Sequence, residues 1–120
     1  MQVVLVAVAG ALGTLSRYGL GRAIGTLSFP WTTLAINLAG SFALGVVVKG
    51  ALDHGWSSTT SAALGTGFLG GFTTFSAFSV ETHTLLRDGR TGAAAAYVGL
   101  SVLGGIAAAA LGYALARAWA

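Results

Sequence analysis

Charge is what this 120-residue chain has least of: Asp, Glu, Lys and Arg together make up 8% of it, against roughly 25% in an ordinary soluble domain. Hydrophobic residues make up 55%, a mixture that belongs in lipid. Cysteine is absent, which excludes disulfides and thiolate metal sites and leaves the redox compartment unreadable. The three acids are scattered, and the two histidines, His54 and His83, lie far apart. They supply neither a nucleophile with its base nor a metal cluster, which argues against a membrane enzyme. The six basic residues flank hydrophobic runs instead of clustering on one face. Nucleic acid is therefore not an expected partner, and the net charge of +3 reads as lipid anchoring.

What the chain does have is apolar runs. Charges cut it into residues 2–16, 23–48, 55–80 and 91–116, and a membrane span needs about 20 apolar residues. The first run is short, but Arg17 and Arg22 can extend their stems toward the interface, so a helix over 3–22 would span. It lacks a basic leader, so it is expected to stay on the chain and not to be cleaved as a signal peptide. Helices are expected over 31–49 and 91–117 as well, with a loop at 25–30 in which Pro30 suits the first turn of the next helix. The stretch 53–60 reads as a polar link and 87–90 as a tight turn. These links leave no room for an extramembrane domain. The expectation is an all-α integral membrane protein with four transmembrane helices in one domain, 1–120.

The third span is unlike the others. Residues 65–79 place four glycines and five hydroxyls at mid-membrane depth, and the adjacent Gly70 and Gly71 each lower helix propensity by about 1 kcal/mol relative to alanine. Either the helix is broken there, freeing backbone groups to line a cavity or hold an ion, or Gly67 and Gly71 form a small-residue packing face; both can hold at once. Thr33, Asn37 and Ser41 recur every fourth residue and share one face of the second span; Tyr97 and Ser101 do so on the fourth. With Thr73, Thr74, Ser76 and Ser79 they form a ladder of neutral donors. A single Ser or Thr ordinarily bonds back to its own helix. Asn37, whose amide is not easily satisfied within its helix, is interhelical glue or a pathway residue.

Phe75 and Phe78, spaced i, i+3 among these hydroxyls, are either lipid-facing packing residues or rings whose positive edges meet an anion. Arg17 either partners helix-end carbonyls or Glu81, or draws anions. Glu81 itself reads as interfacial or paired with a base, His83 as interfacial, and Trp31, Trp56 and Trp119 as interfacial anchors. Lys49, Arg117 and the terminal amine fall on one side of a four-span array, and Arg22, Arg87 and Arg90 on the other. Such balance gives the positive-inside rule little to act on. Insertion both ways, and hence antiparallel dimerisation, stays open.

The run Gly65-Thr66-Gly67-Phe68-Leu69-Gly70-Gly71-Phe72-Thr73-Thr74-Phe75-Ser76-Ala77-Phe78-Ser79-Val80-Glu81 resembles the G-x-x-G-G-x-T-T-F-S-T-F-S-x-E pattern of the Fluc (CrcB) fluoride channels, with Ala77 where threonine is usual. Thr33 to Phe42 is similar to that family's second-span motif, with Asn37 on its asparagine and Thr32 in place of a glycine. Gly10 to Tyr18 is similar to its first-span motif, with Ala9 in place of a glycine, and Tyr97 and Ser101 fall on its fourth-span pore positions.

The resemblance covers the whole chain. It implies an antiparallel dual-topology homodimer with two pores, each built from both subunits, exporting fluoride passively through a cell inner membrane or plasma membrane. It implies that Phe75 and Phe78 offer ring edges to fluoride, that Asn37, Tyr97 and Ser101 supply donors, with Thr74, Ser76 and Ser79 along the track, and that Arg17 sits near a vestibule. It also implies a structural sodium ion held on the dimer axis by the backbone carbonyls of Gly70 and Thr73.

The chemistry agrees, because fluoride is small and strongly hydrated, and a pore must replace its water with several weak sites that also release it. A proton-coupled drug exporter of this size would need a carboxylate within a helix, and the first span has none. A purely structural assembly protein would explain the glycines but not hydroxyls stacked on three spans.

Overall fold

The computed structural model describes residues 1–119, and all of the regular structure there is helical. Helix α1 is Gln2–Ile24 and α2 is Trp31–His54. A short α3, Ser58–Ser61, leads into a wide-turn π-helix, Ala62–Leu69, then α4, Gly70–Phe72, and α5, Phe75–Arg87. The closing helix α6 is Thr91–Ala118.

Three of these, α1, α2 and α6, are long and apolar enough to cross a membrane. At 1.5 Å per residue the 28 residues of α6 reach about 42 Å, so the helix tilts or projects from a hydrocarbon layer of about 30 Å. Val3 is 81% exposed and Leu103 71%. Apolar surface on that scale, spread around the helices and not confined to one patch, is the mark of a chain solvated by lipid or by a partner.

Helix ends fall close to the sequence expectation, with one correction. The link expected over 53–60 shrinks to Gly55–Ser57, because α2 runs on to His54 and α3 starts at Ser58. Two interactions, one local and one tertiary, support the extension of α2: Lys49 pairs with Asp53 one turn on, at 2.6 Å, and lies over the Tyr113 ring of α6. Gly55 then stops the helix in the left-handed conformation, φ 61°. Ser57 restarts it by accepting a hydrogen bond from the Thr60 N–H. At the opposite end of the molecule the Arg90 guanidinium donates to the Ser28 carbonyl, tying the α5–α6 turn to the loop before α2.

Packing follows small residues. In lipid no hydrophobic force drives helices together, so close backbone approach must supply the contact. Helix α2 lies along α6, where a Cβ added to Gly45 would run into the Ala109 carbonyl and one added to Gly112 into the Phe42 carbonyl. Helix α1 lies along the π-helix and α4, with Gly13 beneath the Phe68 carbonyl. Leu34, Leu85, Ala94 and Tyr97 close the end where α2, α5 and α6 meet, with Phe29, Leu38 and Phe78 around them.

Gly70 and Gly71 are themselves helical. The residues out of helical conformation are the two that follow Phe72, with Thr73 at φ −85°, ψ 160° and Thr74 at φ −152°, ψ 116°. Threonine is β-branched and favours extended backbone, whereas Gly71 is needed where α1 comes close.

Candidate functional site

The two extended threonines are held by neighbours. The Asn37 side chain faces Thr74 with both ends of its amide: Nδ2 donates to the Thr74 carbonyl at 3.0 Å and Oδ1 accepts from the Thr74 N–H at 2.8 Å. The amide thus replaces bonds that helical backbone would have made. Thr74 also starts α5, its hydroxyl accepting from the Ala77 N–H at 3.2 Å. Those two diversions leave the carbonyls of Gly70 and Thr73 without the donors, Thr74 N–H and Ala77 N–H, that an unbroken helix would have given them.

Both residues line a cleft of about 310 Å³ that also takes in Asn37, Ser41, Thr74, Phe75, Phe78 and Ser101. Its walls are mostly apolar. The Ser101 hydroxyl is buried there without a hydrogen-bond partner, alone in that respect among the described residues. A buried hydroxyl so placed is unusual, and it faces a space large enough for an ion or water. Phe75 is 79% exposed, and its ring centroid lies 5.6 Å from that of Phe78. Phe78 meets Tyr97 edge to face at 5.1 Å, a geometry that directs positive ring edges.

Of the expected track residues, the structure brings Asn37, Thr74, Phe75, Phe78 and Ser101 to this cleft. Tyr97 goes elsewhere. Fully buried, it donates its hydroxyl to Glu81 Oε2 at 2.6 Å, while Thr33 donates to Oε1 of the same carboxylate at 2.7 Å. Glu81 was expected at the interface or beside a base; it sits instead between two hydroxyls on α2 and α6, because α5 runs on to Arg87 and leaves it mid-helix. No local spacing pointed to this placement, since its partners lie 48 and 16 positions away. Ser76 bonds the Thr74 hydroxyl at 3.3 Å, and Ser79 donates back to the Phe75 carbonyl at 2.9 Å and does not line the cleft.

Arg17 lies in a second recess, of about 280 Å³, with Arg22, Thr33, Thr74 and Glu81. Among the described residues it forms no ion pair, and its Nε donates to the Gly71 carbonyl at 3.3 Å. Of the two roles open to it, the partner to a helix-end carbonyl is the one the structure displays. His83 and His54 are both exposed, and no group of three acid, histidine or cysteine side chains converges to hold a metal among the described residues.

The family model described as CrcB-like protein, Camphor Resistance (CrcB), matches residues 4–113. A Thermus thermophilus protein named fluoride-specific ion channel FluC is 46% identical over 120 residues, covering 98% of this chain and 96% of that one. A Chelativorans protein of the same name is 46% identical over 121 residues, covering 97% and 96%. A Rhodococcus jostii protein named fluoride-specific ion channel FluC 2 is 47% identical over 116 residues, covering 96% and 98%. With nearly the whole length matched, motifs included, the chain belongs to the CrcB family.

Proposed function

We propose that the protein is a fluoride-selective channel that lets fluoride leave the cytoplasm passively, through two pores in an antiparallel homodimer. The observation that carries this reading is the Ser101 hydroxyl, buried and unpartnered in a cleft it shares with Asn37, Phe75 and Phe78. A site that strips a strongly hydrated anion needs free neutral donors and positive ring edges; a fixed cation would hold the ion too tightly to pass it on. The names of the relatives support the choice of ion.

Two subunits enter because one leaves the cleft open: Phe75 stands largely exposed, and a second copy would supply the missing wall. Balanced basic residues at the two ends of the array favour insertion in both orientations. In this assembly the interruption at Thr73–Thr74 lies at mid-membrane depth. The carbonyls of Gly70 and Thr73, both deprived of helical donors, would hold a structural sodium ion; hard cations take such oxygens, and the donor set fits. The ion would pin the two interruptions together and takes no part in conduction. The protein would be a multi-pass component of the inner or plasma membrane.

Cells provide the test. Expressed in a bacterium made fluoride-sensitive by loss of its own exporter, the chain should restore growth in fluoride medium. Expression at normal level with no protection would contradict export.

A further inference from the structure

We propose that Thr14 and Arg17 form a two-donor clamp on the Gly71 carbonyl, and that this clamp sets the geometry of the interruption at Thr73–Thr74; the inference rests on the channel reading above. In an unbroken helix the Gly71 carbonyl would accept the Phe75 N–H. With Thr73 and Thr74 extended, that donor turns away and the carbonyl is left at a helix end inside the membrane, where an unpaired backbone group is costly. Both replacements come from α1. Arg17 Nε donates at 3.3 Å and the Thr14 hydroxyl at 3.4 Å, from positions i and i+3 on one face.

The approach is built for this pair. A Cβ on Gly71 would run into the Gly10 carbonyl and come to 3.0 Å from the Thr14 hydroxyl, so a side chain there would wedge α1 away. The acid sharing the recess with Arg17, Glu81, already has both oxygens bonded, to Thr33 and Tyr97. Asn37 grips Thr74 from α2 while the clamp grips Gly71 from α1, so the extended pair is held from both flanks. The guanidinium also offsets the partial negative charge of that carbonyl oxygen. Arg17 is then a positioning residue that acts through its Nε–H, and its formal charge is secondary.

Glutamine separates the two roles, because its Nε2 lies as many bonds from Cα as the Nε of arginine. R17Q keeps a donor at that place and drops the charge; R17M keeps the chain length without a donor. T14S keeps the hydroxyl that T14V removes. Fluoride efflux from liposomes and melting temperature in detergent are measured for all four variants beside the unmodified protein. R17M and T14V should each lose efflux, with R17M down about tenfold or more, and both should melt lower, whereas R17Q and T14S should recover most of the loss. R17Q failing as badly as R17M would overturn the clamp in favour of charge. R17M conducting and melting like the parent would overturn it outright. Should R17M not purify, T14V against T14S decides. A parent protein that moves no fluoride would sink the channel reading, and the order of melting temperatures would still uphold or overturn the clamp.

Discussion

Phe75 and Phe78 are where a packing role and a pore role part company. Phe78 is packed against Tyr97 and the α2–α5–α6 core, and Phe75 stands on the cleft with most of its surface open. Isoleucine at either position keeps bulk and apolarity but removes the ring quadrupole. Volume-conserving apolar swaps usually cost under about 1.5 kcal/mol, so both variants should purify folded while fluoride flux collapses. Phe42, outside the cleft, is the control, and its isoleucine variant should conduct. Normal flux through F75I and F78I would assign them to packing. Side-chain chemistry made some of the site legible in advance. Asn37 stood out because an amide in hydrocarbon needs a partner off its own helix, and it found one in Thr74. Glu81 did not stand out, since its bonds to Thr33 and Tyr97 come from residues 48 and 16 positions away, a closeness created by the packing of three helices and not visible in local spacing.

Among the elements, the long apolar helices were readable to within a few residues, because hydrophobic length alone dictates a span. The C-terminal extension of α2 was missed because it depends on Asp53 folding back on Lys49 and on Tyr113 from α6. The third stretch misled in an instructive way: Gly70 and Gly71 have the low helix propensity expected of a break, yet they stay helical, and their small size serves the approach of α1. Tertiary contact overrode propensity there. The same logic yields a prediction on α6. Gly112 lies against the Phe42 carbonyl with no space for a side chain, so G112V should push α2 and α6 apart. The expected loss is about 1–3 kcal/mol or more, the usual cost of overpacking, read as a lower melting temperature in detergent. An unchanged melting temperature would mean the α2–α6 seam is not the close-packed core of the fold.

For the whole molecule, the issue is how a chain with so much exposed apolar surface and a half-open cleft becomes a selective path. The proposed antiparallel pair would close the cleft without any new element. Single cysteines placed at each terminus of this cysteine-free chain should each label from both sides of the membrane; labelling of a given terminus from one side alone would refute dual topology. The claim that the assembly conducts fluoride is tested most directly by purified protein in liposomes loaded with potassium fluoride or potassium chloride, with valinomycin added and the external anion followed by electrode. The account predicts rapid fluoride efflux and chloride retention close to that of empty liposomes. Equal release of both anions, or fluoride held as tightly as in protein-free vesicles, would contradict it.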